Sequence, residues 1–300
     1  MKTIESCTPE FVLRLQENNM TCSCASCNER SPLVERSWKN QKRYSARLGC
    51  DSAAEAILVP SDAFVLYPGE SEACDAPLLS EPVLMLNQGC INLLIGSDQP
   101  LELRLYAMGI LISKAAMLND AATVDAITQD LLDLLNEGVL ADAFNQIPVI
   151  PALKIQALRQ LCDLDLRGDF DPQMAMALML KINEISVLGN DDLHHMLQEW
   201  QSSQAVQQAL SLHLPQWINL VLHSCYHDVF PGEEPAAWEK SFYQLTLRLF
   251  HVQHLLALLV QCEVNPNEQQ LAHLIAARVR AETTVPSQAE PLLAGLALIR

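Results

Sequence analysis

The chain has 300 residues, of which half are apolar and 18% are charged, with a formal net charge of −17. This composition indicates a globular protein with a substantial core and excludes an intrinsically disordered one. Residues 1–50 carry eight Lys and Arg against five Asp and Glu, whereas residues 51–300 carry eleven against thirty-one. An acidic body repels nucleic acid and anionic membrane, so we expect neither as a partner. An acidic body favours a partner protein with a basic, lysine-bearing surface, although proteins more commonly carry a large negative charge because it keeps them soluble.

The sequence also indicates where the protein is found. No stretch reaches the ~18 apolar residues that a membrane-spanning helix needs, and the first residues, "MKTIESCTPEF", lack the apolar core of a secretory signal. We therefore expect a cytoplasmic protein. In a reducing compartment, its ten cysteines point to metal or redox chemistry before structural disulfides.

The first part of the chain differs from the rest in its pattern. Residues 1–50 have mixed polarity and almost no helical periodicity. Residues 58–77 contain three prolines, one glycine and two short apolar runs, which predict one or two strands joined by turns. We predict a cysteine-containing N-terminal segment with little regular structure over residues 1–80.

From residue 81 onward, the apolar residues recur with a helical period, which predicts an α-helical domain over residues 81–300. Asp171 and Pro172 are typical of an N-cap and a first helical position, and Gly138 is typical of a left-handed helix terminator. The fold class is therefore mainly α, an irregular domain of roughly nine or ten helices with a small cysteine-containing N-terminal segment. The clearest predicted helices lie at about residues 101–118, 122–138, 151–166, 172–189, 191–212 (broken near Gln201), 215–228, 235–262, 266–281 and 287–299.

Three cysteines fall within six positions in "TCSCASCNER", residues 21–30. Thiolates are soft ligands that favour zinc, copper(I) or iron–sulfur clusters. Cys24 and Cys27 form one C-x-x-C pair of the kind found in structural zinc sites, without a second pair, whereas the spacing of iron–sulfur ligands is looser. We predict a metal centre, either zinc or an iron–sulfur cluster, at Cys22, Cys24, Cys27 and Cys50. Reduced thiols in a loop remain the alternative.

Other motifs are less informative. His223 and His227 are four residues apart, which is metal-ligand spacing on a helix, but the adjacent Glu of a metalloprotease helix is missing. We expect these histidines to be partly buried or interfacial. The chain has no G-x-G-x-x-G, P-loop, G-x-S-x-G or H-E-x-x-H motif, so it lacks the glycine-rich turn of a Rossmann methyltransferase.

Residues 36–66 resemble a segment of the bacterial flagellin lysine-N-methylases, which has the form R-S-L-T-L-S-C-P-E-A-A-R followed by aliphatic residues. Here "RYSARLGCDSAAEAIL" retains an arginine, Cys50, the paired alanines Ala53 and Ala54 and the aliphatic run. Asp51-Ser52 replaces the family's Pro-Glu. The opening "CTPEFVLRL" is similar to the family's T-P-x-F-V, and "LPQWINLVLHSCYHDVFPGEEP" resembles its N-Y-L-x-N-x-x-F-x-x-x-F-P segment.

The chain departs from this family in its cysteines. Cys22 matches the T-C of the family's T-C-x-x-Y-P-R element, but the Tyr-Pro-Arg is missing. Full-length relatives carry a C-x-x-x-C-x-x-x-C-C element and a second cysteine-containing stretch that are absent between "FVLRLQ" and "TCSC". The chain is thus identified as a shortened, divergent member that lacks most of the N-terminal cysteine-rich region, where the family is thought to hold a metal or iron–sulfur centre.

The resemblance implies methyl transfer from S-adenosylmethionine to lysine side chains of flagellin or another lysine-rich protein, by an enzyme that is either active or degenerate. Amine methylation needs a neutral lysine in line with the sulfonium methyl. Tyr44, Tyr67 and Tyr226 are candidates for orienting hydroxyls, and the sequence does not choose among them. The catalytic and cofactor-binding residues therefore stay unassigned.

Two other functional classes remain open at this point. A non-enzymatic helical adaptor or chaperone-like protein of a flagellar or secretion system fits the acidic body, the leucine-rich helices and the missing cofactor motif. A zinc-stabilised transcription factor is disfavoured, because the basic charge is confined to residues 1–50.

Overall fold

The structure is a computed structural model that describes residues 3–17, 22, 24, 31–117, 120–281 and 288–300. These ranges contain fourteen α-helices and one four-stranded sheet, which confirms the mainly α fold class. The helices are α1 (Glu10–Glu17), α2 (Asp51–Leu58), α3 (Glu81–Ile95), α4 (Leu101–Ala115), α5 (Ala121–Asn136), α6 (Leu140–Asn145), α7 (Pro151–Arg159), α8 (Pro172–Val187), α9 (Asn190–Ser202), α10 (Gln204–Leu212), α11 (Leu214–His227), α12 (Trp238–Gln261), α13 (Glu268–Arg280) and α14 (Pro291–Ile299).

The N-terminal segment is more regular than predicted. Residues 1–80 were expected to contain little regular structure, but they contain α1, α2 and all four strands of the described sheet. The strands are β1 (Thr3–Pro9), β2 (Leu33–Ser37), β3 (Gln41–Ala46) and β4 (Leu66–Glu72). Their order in the sheet is β2-β3-β1-β4, with β1 parallel to β3 and antiparallel to β4. Because β1 pairs with segments that are distant in sequence, the local pattern of apolar residues did not reveal the sheet.

The sheet segment and the helical body share one hydrophobic core. Phe11 of α1 and Ile57 of α2 belong to the same buried cluster as Leu258 of α12 and Leu274 of α13. The division at residue 80 into two domains stays a prediction.

A buried amide fastens the sheet to the helices. Asn87 of α3 donates from Nδ2 to the carbonyl oxygens of Cys225, at 2.8 Å, and Phe230, at 2.9 Å. Its Oδ1 accepts from the guanidinium of Arg43 on β3, at 3.2 Å. Arg43 also donates to the carbonyl oxygen of Tyr226, at 3.1 Å. These bonds satisfy polar groups that would otherwise be costly to bury between β3, α3 and the end of α11.

The helix ends follow local chemistry closely. The side chain of Asp171 accepts from the backbone N–H groups of Gln173 and Met174, both at 3.0 Å, so Asp171 is the N-cap of α8 as predicted. Gly138 follows α5 with φ of 77°, as predicted for a left-handed terminator. The break expected near Gln201 is confirmed by the end of α9 and the start of α10.

The longest described helix, α12, lies in the middle of the helical body and is buried on most of its faces. Its His251 donates from Nε2 to the carbonyl oxygen of Ala157, at 2.8 Å, and accepts at Nδ1 from Nε of Arg278, at 3.0 Å. Both ring nitrogens are thus used by the neutral imidazole. Burial, together with the charge of Arg278, lowers the pKa of His251 to about 3.

We expect His251 to make the protein less stable in acid. The ordinary pKa of histidine is about 6.5. Between about pH 6.5 and pH 3, His251 is therefore protonated in the unfolded chain and neutral in the folded chain. The free energy of unfolding should therefore fall by up to ~1.4 kcal/mol per pH unit below pH 6.5 on account of this residue. When urea unfolding is measured across this pH range, the free energy of unfolding should decrease less steeply with falling pH in His251→Gln than in the wild type. The matched control is His195→Gln, at an exposed position of α9; an equal change of slope in both variants would contradict the prediction.

None of the described helices combines the length and the apolar character that crossing a membrane requires.

Candidate metal centre

Three of the four predicted ligands come together in the structure. The Sγ atom of Cys22 lies 3.0 Å from that of Cys24 and 3.2 Å from that of Cys50, and the sulfurs of Cys24 and Cys50 are 4.0 Å apart. The fourth predicted ligand, Cys27, lies outside the described residues. Folding therefore gathers sulfur atoms from the segment between α1 and β2 and from the start of α2. Within the described ranges, this is the one group of three or more metal-ligating side chains close enough to hold an ion.

The spacing of these sulfurs fits a metal ion better than a disulfide. A disulfide bond is about 2.05 Å long, which is shorter than any of the three separations. In a tetrahedral zinc site with Zn–S bonds of about 2.3 Å, neighbouring sulfurs are about 3.8 Å apart. The observed separations of 3.0 to 4.0 Å bracket that edge length. The donor set is soft, as zinc, copper(I) and iron–sulfur centres require.

Cys50 sits at a position that suits a thiolate ligand. It is the N-cap of α2, with extended backbone angles, and its side chain is buried. A helix N-terminus favours negative charge, and the thiolate is the form that binds metals. Cys22 and Cys24 are only partly buried, so the group is better shielded from solvent at Cys50 than at the other two sulfurs.

Arg280, at the end of α13, binds both neighbours of Cys50, Gly49 through its backbone and Asp51 through its side chain. Its Nη1 donates to the carbonyl oxygen of Gly49 and to Oδ1 of Asp51, both at 2.6 Å, and its Nη2 donates to the carbonyl oxygen of Arg167. A Cβ atom at position 49 would lie 3.2 Å from Cγ of Arg280, so glycine allows this close approach. We name Gly49, Cys50, Asp51 and Arg280 the Cys50 clamp. Sequence reasoning missed Asp51 and Arg280, because only the tertiary fold brings them together.

Two other cysteines of residues 1–80 have different surroundings. Cys74 is exposed, and its Sγ donates to the carbonyl oxygen of Trp38 at 3.6 Å. Cys7 lies on β1, where burial raises the pKa of its thiol. Neither belongs to the group formed by Cys22, Cys24 and Cys50.

The histidine pair on α11 has a structural role, as expected. His223 and His227 stack with ring centroids 4.9 Å apart. His223 donates from Nε2 to the carbonyl oxygen of Ala46, at 2.9 Å, and Nδ1 of His227 is 2.8 Å from the hydroxyl oxygen of Ser45. Burial lowers the pKa of His223 to about 3, with the neighbouring His227 acting in the same direction. The neutral pair therefore joins α11 to the end of β3.

The three candidate tyrosines lie in different environments. The hydroxyl of Tyr226 donates to the carbonyl oxygen of Cys7, at 2.8 Å, and burial raises its pKa. The hydroxyl of Tyr44 lies 3.4 Å from that of Ser71. Tyr67 is exposed on β4. The hydrogen bond of Tyr226 thus joins α11 to β1. None of the three tyrosines is assigned to catalysis.

The family model for the FliB lysine N-methylase C-terminal domain matches residues 87–282, about two thirds of the chain. The chain belongs to this family. The matched range of this FliB-type protein runs from α3 to the end of α13 and so includes most of the helical body. No curated protein and no solved structure matched the chain. All four predicted ligand cysteines precede the matched range. The family match therefore concerns the helical body, and the case for a metal centre rests on the positions of the cysteine sulfurs alone.

Proposed function

We propose that this protein is a lysine N-methyltransferase that uses S-adenosylmethionine to methylate lysine side chains of flagellin. We also propose that Cys22, Cys24, Cys27 and Cys50 hold a metal centre beside the helical body. The family match over residues 87–282 is the observation that carries the methylase part. The methyl donor and the substrate follow from what the family does.

The charge of the helical body supports a lysine-bearing substrate. Residues 51–300 carry thirty-one acidic side chains against eleven basic ones, and such a surface attracts a basic partner and speeds its association. The same carboxylates raise the pKa of a nearby lysine, which opposes its reaction as a neutral amine. We infer that substrate docking and methyl transfer occur in different environments, with the reacting amine in a less polar one. S-Adenosylmethionine, when bound, supplies the electrophilic methyl group.

The geometry of the cysteines supports one tetrahedral ion at this centre. Three sulfurs within 4.0 Å of one another are spaced like ligands of a single zinc ion. A 4Fe–4S cluster binds each cysteine through its own iron atom, and a 2Fe–2S cluster binds two cysteines per iron, so at least one of the three sulfurs would have to move outward to accept either cluster. In either case, the Cys50 clamp holds one ligand in place.

The direct test is methylation of purified flagellin. The protein, purified without oxygen, is incubated with flagellin and S-adenosylmethionine, and lysine methylation is measured by mass spectrometry of flagellin peptides. We expect methyl groups on flagellin lysines only when the protein and the methyl donor are both present. The proposal would be contradicted if flagellin stayed unmodified although the protein was folded, retained its metal and bound flagellin. That result would favour the adaptor alternative.

A further inference from the structure

A second site lies in the helical body, in a cavity of about 600 Å³. Its walls come from α4, α6, α7, α9, α10, α12 and α14, and its size is that of a typical small-molecule pocket. Of the candidate ligands that the structure describes, Cys22, Cys24 and Cys50, none borders it. Much of its lining is apolar, including Leu103, Phe144, Leu197, Val206, Leu249 and Leu298.

Lys154 of α7 brings a positive charge into this cavity without a counter-ion. Its side chain borders the cavity and is only 7% exposed. It makes no hydrogen bond or ion pair with any residue that the structure describes. Burial, assisted by the charge of Arg300, lowers its pKa. Its Nζ is not among the fully buried unpaired atoms of the described residues, so it reaches the open space of the cavity. A largely buried cation without an anionic partner is unfavourable, and a ligand in the cavity would supply the missing negative charge.

Further donors lie in the walls of the same cavity. The indole Nε1 of Trp200 and the Nε of Arg300 are both buried without a hydrogen-bond partner among the described residues, and both residues border the cavity. The guanidinium of Arg300 is positioned by the ring of Phe144, 5.7 Å from its centroid, and by the carbonyl oxygen of Asn145, 3.3 Å from Nη2. A buried tryptophan N–H usually has an acceptor. In the described part of the chain, the walls thus hold two donors without acceptors, which a small side-chain adjustment would bring into contact with a ligand.

The remaining titratable groups do not neutralise these cations. His254 borders the cavity, and burial lowers its pKa to about 4, so it is uncharged at neutral pH. Its Nδ1 donates to the carbonyl oxygen of Phe250 at 2.7 Å. Glu102 is also in the lining, but its charge acts on Arg104 and is not among the influences on Lys154.

We propose that this cavity binds a small organic anion, with a carboxylate or phosphate group between Lys154 and Arg300 and an apolar body against the surrounding helices. S-Adenosylmethionine also carries a carboxylate, but its sulfonium and ammonium groups leave it with a net positive charge, which a site with two cations disfavours. The proposed anion site is therefore taken to be separate from methyl transfer, and it does not depend on the proposed function.

The test compares acids with amides of the same shape. Calorimetric titration of the full chain uses octanoate against octanamide, indole-3-acetate against indole-3-acetamide, and inorganic phosphate alone. We expect the carboxylates to bind at least tenfold more tightly than their amides, because a hydrogen bond to a charged group is stronger than one to a neutral group. In Lys154→Met, which removes the charge and keeps an unbranched side chain only one atom shorter, this preference should be lost.

The matched control is Lys181→Met, because Lys181 on α8 pairs with Glu184 and does not border the cavity. It should leave every affinity unchanged. Thermal unfolding checks folding, and Lys154→Met is expected to be at least as stable as the wild type because it removes an uncompensated charge.

Five results would overturn the proposal. Four concern the anions: equal affinity for acids and amides, an unaltered preference in Lys154→Met, no binding of any of the anions at millimolar concentration, and phosphate binding as tightly as the organic acids. The fifth is a loss of S-adenosylmethionine affinity in Lys154→Met, which would assign the cavity to the methyl donor. Carboxylate binding by a protein that does not methylate flagellin would leave the anion site intact and reject only the proposed function.

Discussion

Cys50→Ser is expected to remove the bound metal and to abolish methylation of flagellin. Cys50 is the most buried of the proposed ligands that the structure describes, at the N-terminus of α2, and its sulfur lies 3.2 Å from that of Cys22. A serine hydroxyl is a hard and protonated group at neutral pH, so it does not replace a thiolate on a soft metal. The metal content of protein purified without oxygen should fall from near-stoichiometric to background. Methylated lysines should disappear from the flagellin peptides.

A cysteine outside the cluster provides the matched control. Cys162 is half-buried, and its Sγ donates to the carbonyl oxygen of Ile182 at 3.5 Å. Cys162→Ser should retain both the metal and the activity. The ligand assignment would be refuted by two results together. The wild-type protein would contain no metal, and a variant lacking all four predicted ligand cysteines would fold and methylate flagellin normally.

Arg280→Met is expected to lower the free energy of unfolding by about 3 kcal/mol, in the range found when one partner of a buried ion pair is removed. Asp51 is buried, and its Oδ1 accepts from Arg280 at 2.6 Å. Methionine leaves that carboxylate uncompensated and the carbonyl oxygen of Gly49 without this donor. Because both neighbours of Cys50 lose their anchor, metal affinity should also fall although no ligand has changed. Urea unfolding and competition with a chelator measure the two effects.

Two variants separate the ion pair from the loss of a long side chain. Asp51→Asn in the Arg280→Met background removes the uncompensated charge and should recover part of the stability. Arg167→Met breaks an exposed ion pair with Asp165, and it should change stability by no more than about 1 kcal/mol. A small effect of Arg280→Met, similar to that of Arg167→Met and with unchanged metal affinity, would contradict the role given to the Cys50 clamp.

The helical part of the fold was predictable where a few adjacent residues determine the outcome. Asp171 caps α8 through backbone groups two and three positions later, and Gly138 adopts its left-handed backbone shortly after α5. Such interactions are encoded locally, so sequence alone is enough to predict them. By contrast, α6 has six residues and α2 has eight, which is too short for a helical period to emerge.

The sheet and the candidate site depend on contacts between distant residues. Glu5 of β1 pairs with Gln41 of β3, and polar strands such as "QKRYSA" lack the alternation that reveals a half-buried strand. The clustering of the cysteines and the family resemblance were enough to select candidate ligands, but not to show how Cys50 is held. Arg280 and Asp51 are 229 positions apart, and no pattern in the sequence links them.

The contact between Cys22 and Cys50 has a topological consequence. The two residues are 28 positions apart, and the chain between them includes β2, the outer strand beside β3, and β3 itself. A shared metal would turn this stretch into a closed ring and lower the conformational entropy of the unfolded chain by the equivalent of about 3.6 kcal/mol at 25 °C, by analogy with a disulfide of that span. Metal starvation in the cell would then act first on this ring, freeing a sheet edge that can pair with other chains, while the helical body keeps its packing.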